Sequence, residues 1–148
     1  MEKIIVSECL LGSPCRYDGL SKPCDEVIAL SEKYELIPIC PEVMGGLPTP
    51  RIPAEIKNGE VIRKDGVNVT ENYKIGAEKS LKIAKENDCK IAILKSKSPS
   101  CGCGLVYDGT YSKVLVEGNG ITADLFIRNE VKVINESEIH KLYEDYSD

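Results

Sequence analysis

The chain has 148 residues, enough for one domain with a full core and too few for two of ordinary size. Hydrophobic residues make up 42% and charged residues 29%, the balance of a soluble globular protein, and a single Phe with no Trp argues against an aromatic platform for nucleic-acid bases. With 19 Lys and Arg against 24 Asp and Glu, a net charge of -5, a phosphate-backbone footprint is not expected and small-molecule chemistry stays open.

Lys3 to Glu8 is a β-branched run that predicts a first strand, delivering Cys9 into a breaker-rich polar loop, Leu10 to Gly19. Asp25 to Lys33 sets Val27, Ile28 and Leu30 on one helical face with acids in the first turn, the pattern of a crossover helix. Glu35 to Ile39 predicts the second strand, and Pro38 within it points to a strand end or a sheet edge. That strand delivers Cys40. From Ile39 to Arg51 the chain holds two glycines, three prolines, a thiol, an acid and a guanidinium, a long loop of the kind that carries function.

Asn58-Gly59, between alternating segments, predicts a small β-flap within Ala54 to Val67. Thr70 is expected to cap the longest helix, Glu71 to Asn87, with Ile75, Ala77, Leu81, Ile83 and Ala84 as its apolar positions. Lys90 to Leu94 predicts the third strand, followed by the loop Lys95 to Gly104 with Cys101. Tyr107 to Ser112 reads as an excursion, and Gly118 to Thr122 lead into a helix Ala123 to Asn129. Lys132 to Ile134 predicts the fourth strand, and Glu136 to Tyr146 a closing helix with Ile139, Leu142 and Tyr143 inward. The chain enters a strand at once and no apolar run approaches the roughly 20 residues that span a bilayer, so a cytoplasmic protein without a membrane segment is expected.

Strands alternating with helices predict one α/β domain over residues 1–148, three-layered, with a mostly parallel sheet and a small β-hairpin excursion. Such sheets bind ligands at the carboxyl ends of their strands, where Cys9, Cys40 and Cys101 all fall. Seven cysteines, an odd number in a chain of this size, fit reduced thiols better than a disulfide framework. Three thiols from three loops suit zinc or an iron-sulfur centre, with Cys15 or Cys103 available as a fourth; the alternative is that several are buried small hydrophobes. Cys24 and Cys89 read as packing residues and His140 as a solvated side chain. Glu42 reads either as an acid-base group or as a loop carboxylate paired with Arg51 or Arg16. Ser98 and Ser100 can donate hydrogen bonds or activate water, although serines beside proline are usually turn residues. Arg16 and Arg51 suit an anion or a carbonyl, or else lie on the surface. Neither Gly45-Gly46 nor the Gly102 and Gly104 pair has the spacing of a phosphate loop.

Cys9-Leu10-Leu11-Gly12 with Cys15-Arg16-Tyr17-Asp18-Gly19, Cys40-Pro41-Glu42 with Gly45-Gly46-Leu47-Pro48-Thr49-Pro50-Arg51, and Lys97-Ser98-Pro99-Ser100-Cys101-Gly102 together resemble the DUF523 family, whose characterised members are thiouracil desulfurases. The resemblance runs nearly the full length and includes Gly118 to Ala123. It implies a Rossmann-like domain holding an oxygen-sensitive 4Fe-4S cluster through Cys9, Cys40 and Cys101, with one iron left free for the substrate sulfur. It further implies Glu42 as catalytic acid and a catalytic serine within Ser98 to Ser100, Ser98 the better match. The activity implied is non-redox, hydrolytic removal of sulfur from thiouracil or a related small thiolated pyrimidine, with sulfide released. From the residues alone, a non-catalytic zinc or cluster module and a nucleotide-binding α/β protein with structural thiols remain as competing readings, and nucleic acid is an improbable partner.

Overall fold

The structure, a computed structural model, describes residues 1–144 and side chains as far as Leu142. In chain order its elements are β1 (Glu2–Ser7), α1 (Asp25–Ala29), β2 (Tyr34–Ile39), α2 (Pro41–Met44), β3 (Ala54–Lys57), β4 (Glu60–Arg63), α3 (Thr70–Glu86), β5 (Ile91–Leu94), β6 (Leu105–Tyr107), β7 (Leu115–Glu117), α4 (Ile121–Arg128), β8 (Lys132–Asn135) and α5 (His140–Glu144). Short 3-10 turns occupy Glu8–Leu11 and Leu30–Glu32.

The main sheet has four strands in the order β2-β1-β5-β8, all parallel. β1 alternates its aliphatic side chains between two cores. Ile4 and Val6 pack with Val27, Leu30, Ile139 and Leu142 of the α1 and α5 side, whereas Ile5 packs with Leu81 and Ala84 of α3 and with Ala123 and Phe126 of α4. Helices therefore cover both faces, and the expected three-layer α/β architecture with a parallel sheet is what forms. β2 is an edge strand, which explains how Pro38 is accommodated opposite Val6 without breaking an interior ladder.

Two hairpins lie outside this sheet. β3 and β4 pair antiparallel around Asn58-Gly59, with Asn58 at φ 53°, as the turn signal predicts. β6 and β7 form a second hairpin where only an excursion was expected, because strands of three residues are too short to show a period.

Other departures have local causes. Pro41–Met44, expected as loop, is one helical turn with Pro41 at its first position and extended Cys40 before it. Thr70 does not cap α3 but is its first residue: its hydroxyl accepts from Val61 N at 2.8 Å, while Asn68 Oδ1 accepts from Thr70 N at 2.9 Å. Ile75 is 38% exposed, since the buried stripe of α3 runs through Tyr73, Ala77, Leu81 and Ala84. The crossover helix is α in its first half and 3-10 in its second. α4 starts two residues earlier than expected, and α5 four residues later because Asn135 and Glu138 build a turn first. The Tyr143 side chain and the predicted end of that helix at 145–146 lie outside the described residues.

α2 is positioned by backbone contact with α3. A Cβ on Gly76 would stand 1.8 Å from the Pro41 carbonyl oxygen, so α3 needs glycine there for the two helices to meet. Gly76→Ala is expected to destabilise the protein by at least about 1–3 kcal/mol, the usual cost of overpacking. Urea unfolding measures it; a change under about 0.5 kcal/mol, ordinary for a surface site, would mean that the α2–α3 seam is loose.

Candidate active site

β1, β2 and β5 are neighbours, and each runs toward a cysteine. Cys9 sits in the 3-10 turn that follows β1, Cys40 directly follows β2, and Cys101 closes the loop after β5. All three line one cavity of about 410 Å³ at the carboxyl edge of the sheet. Cys15 lines it too, with its thiol in hydrogen-bonding contact with those of Cys9 and Cys40. The other cysteines do not. Cys103 directs its thiol at the Val133 carbonyl, Cys89 is buried in the second core and Cys24 packs against the first. His140 is exposed on α5.

The thiols of Cys15, Cys40 and Cys101 are harder to ionise than a free cysteine. A hydrogen bond with Cys40 pulls the Cys15 value down, but the Cys9 thiol and burial push it up to about 11. Cys40 is raised by its bond to Cys15 and by burial, and Cys101 is pushed up to about 12, chiefly by burial and against a hydrogen bond from Ser7. A bound metal must displace these protons. An all-thiol donor set with no imidazole, and hydroxyls of Ser7 and Ser100 directed at the Cys101 sulfur, suits a thiolate-ligated iron-sulfur cluster.

The Cys101 loop rests on the start of α4. Pro99 O accepts from Ile121 N at 2.9 Å and Ser100 O from Thr122 N at 2.8 Å, so the first amides of the helix hold the loop carbonyls. Gly120 is required for this approach, because a Cβ there would lie 2.4 Å from Ser100 O. Within the loop, Ser98 Oγ accepts from the amides of Ser100 (3.0 Å) and Cys101 (3.1 Å). Its own proton is left to donate. Ser100 is buried, with its hydroxyl 2.8 Å from that of Thr122.

Glu42, on the first turn of α2, also lines the cavity and is held at both oxygens. Oε1 accepts from the Tyr73 hydroxyl at 2.9 Å. Oε2 accepts from Arg51 Nε at 2.9 Å and from Arg51 Nη2. Arg51 spends its remaining donors on Pro48 O (3.1 Å), Thr49 Oγ1 (3.0 Å) and Cys15 O (2.9 Å). All five guanidinium N–H groups are thereby occupied. Burial opposes its charge, yet the Glu42 carboxylate raises the Arg51 pKa above its ordinary value. Of the two readings of Arg51, neither a ligand-binding arginine nor a surface one describes it; it is an internal clasp. Arg16 lies at the mouth, 3.6 Å from Asp18 and over the Tyr17 ring.

The two hairpins roof the cavity. Glu55 Oε1 on β3 accepts from Gly109 N (3.0 Å) and Tyr111 N (3.1 Å) of the β6–β7 connection, and the Tyr111 hydroxyl donates to Ile62 O on β4. Lys64, Lys97 and Lys113 also line the cavity, and none has an acidic partner among the described residues. Sequence reasoning missed Ser7, Tyr73 and these lysines. For Ser7, its position at the end of a strand beside Cys9 was an available signal; Tyr73 and the lysines gave none.

Comparison with known proteins agrees with this architecture. The family described as 2-thiouracil desulfurase matches residues 4–138. The uncharacterized protein YbbK of Bacillus subtilis (strain 168) is 39% identical over 149 residues, covering 94% of this chain and 99% of that one. A solved structure, the 4Fe-4S-dependent thiouracil desulfidase TudS, superposes with a TM-score of 0.93 at 42% identity, covering 99% of each chain.

The Arg51 clasp makes a prediction independent of any ligand. Arg51→Lys keeps the charge but loses the fork, and is expected to cost about 2–4 kcal/mol, the scale of losing one or two hydrogen bonds to charged groups. Urea unfolding of the metal-free protein is the measurement, and a loss below about 0.5 kcal/mol would show that the clasp is dispensable.

Proposed function

This chain belongs to the 2-thiouracil desulfurase family, and from that premise we propose that it converts a thiolated pyrimidine, thiouracil in the simplest case, into its carbonyl counterpart. The reaction adds water across a thiocarbonyl and releases sulfide. The water oxygen becomes the carbonyl oxygen, both water hydrogens leave with the sulfur as hydrogen sulfide, and no electrons are transferred. The observation that carries this reading is the meeting of Cys9, Cys40 and Cys101 in one cavity with Glu42 and Ser98 on its wall.

TudS is described as dependent on a 4Fe-4S cluster. In this chain Cys9, Cys40 and Cys101, thiols from three separate loops lining one cavity, are the residues to hold one. When bound, such a cluster supplies a soft Lewis acid suited to a thiocarbonyl sulfur. The chain's own groups do the rest. Glu42 takes a proton from the attacking water onto Oε1, the oxygen that Arg51 leaves free, and returns it to the departing sulfur. Ser98 donates its remaining O–H to the water or the base, while Ser100 is committed to Thr122 and to support of Cys101. The roof limits bulk water above the site. A cytoplasmic setting suits seven free cysteines, and among the described residues no helix is long and apolar enough to cross a membrane.

A second reading of the substrate has its own observation. Lys64, Lys97 and Lys113, without acidic partners among the described residues, line the cavity of an acidic protein, which suits a base that carries a phosphate, that is, a thiolated pyrimidine nucleotide.

Anaerobic reconstitution tests the cofactor and the chemistry together. About four iron per chain are expected, greatly reduced in Cys9→Ala, Cys40→Ala and Cys101→Ala and retained in Cys24→Ala, Cys89→Ala and Cys103→Ala. Glu42→Gln at matched iron content is expected to lose on the order of 10² to 10⁴ in sulfide release. One zinc and no iron per chain, or a Glu42→Gln rate within about threefold of wild type, would overturn the respective assignment.

Substrate size is tested by kcat/KM for thiouracil, its 5'-monophosphate nucleotide and thiolated tRNA. The tRNA is expected to be the poorest of the three because the roof closes over the site. A nucleotide no better than the free base would remove the lysines from substrate recognition, and a preference for tRNA would mean that the roof does not exclude it.

A further inference from the structure

Tyr73 sits in the first turn of α3, 3% exposed, with its ring in a small core of its own beside Val61 and Val69 and against Leu47, Ala54 and Ile56. Its hydroxyl leaves that core to donate to Glu42 Oε1. The opposite oxygen is fixed by Arg51, which is itself tied to Pro48, Thr49 and Cys15. A carboxylate held from one side only can swing about its last torsion, since that rotor is broad. Held at Oε1 by a buried phenol and at Oε2 by a guanidinium whose other donors are taken, it is fixed in one orientation.

We propose that Tyr73 is a positioning residue for the reaction, fixing the orientation of the Glu42 carboxylate at the cavity wall. Two features support this assignment. Burial, and then the charge of Glu42, push the phenol well above its ordinary pKa, so the hydroxyl remains a donor throughout the working range. The same ring that holds the hydroxyl also packs β4 and β3, so the seating of the roof and the orientation of Glu42 depend on one side chain.

This role rests on the reading that Glu42 acts in the reaction, and the test separates the two. Tyr73→Phe keeps the ring and its packing and removes one bond. At matched iron content, kcat is expected to fall about tenfold, a partial form of the loss that misplacement of a reacting group produces, with KM unchanged. In a Glu42→Gln background the same change is expected to cost less than about twofold, because the group it positions is already gone. A crystal structure of metal-free Tyr73→Phe is expected to show the Glu42 carboxylate turned or in two conformers. If Glu42→Gln retains wild-type kcat, the role of Glu42 falls and that of Tyr73 with it. If Glu42→Gln is impaired while Tyr73→Phe is within twofold of wild type, or if the two losses multiply, Tyr73 alone is misassigned.

Discussion

A buried guanidinium sets the terms for the rest of this site. Placing the Arg51 charge inside the protein is costly unless every donor is met. It is met by the Glu42 carboxylate, the Pro48 and Cys15 carbonyls and the Thr49 hydroxyl. Its backbone amide adds a bond to Tyr17 O at 2.7 Å. The loop that leaves β1 is thus tied to the helix-and-loop segment that leaves β2, and Cys9, Cys15 and Cys40 are brought to one wall. The parallel sheet aims these segments, but adjacent strands do not by themselves dictate how the loops beyond them fold.

The opposite wall is set by a different device. The Cys101 loop turns on the Ser98 hydroxyl, and its carbonyls are taken up by the first amides of α4. Backbone groups there satisfy each other across a gap that only glycine at 120 permits. The wall near Cys40 is therefore held by a side-chain charge and the wall near Cys101 by main-chain bonds. Cys101 in turn meets two serine hydroxyls, from β1 and from its own loop. The two walls are thus fixed by different means, a charged side chain on one and main-chain bonds on the other.

The legible parts of the sequence were those with a short-range cause. The β-branched runs before Cys9 and Cys40, the Asn58-Gly59 turn and the strand proline at 38 each act within a few residues, and each appears in the structure as expected. The strand-end position of the three thiols followed from the same signals. Hidden parts depend on distant partners or on elements too short for a period. Pro41–Met44 spans one turn, and β6 and β7 three residues each. Tyr73 on a helix face reads as core, which its ring is; its hydroxyl gains meaning only from an acid 31 positions earlier in the chain. Arg51 as a partner of Glu42 was one of two open readings, and no local pattern could show that Cys15 O would share it.

The roof has a physical standing of its own. Its core amounts to Val61, Val69 and Tyr73, and its cross-hairpin bonds run from one carboxylate to two loop amides and from one phenol to a strand carbonyl. The sheet below it buries Ile4, Ile5, Val6, Ile93 and Leu94 completely. Regions with few buried apolar groups open at a small fraction of the global unfolding free energy. The hairpins are thus expected to open more readily than the sheet, although Val69 and Tyr73 tie their core to the start of α3. Entry of a small molecule past the cover then draws on this small local core, and the strands that deliver the thiols need not open with it.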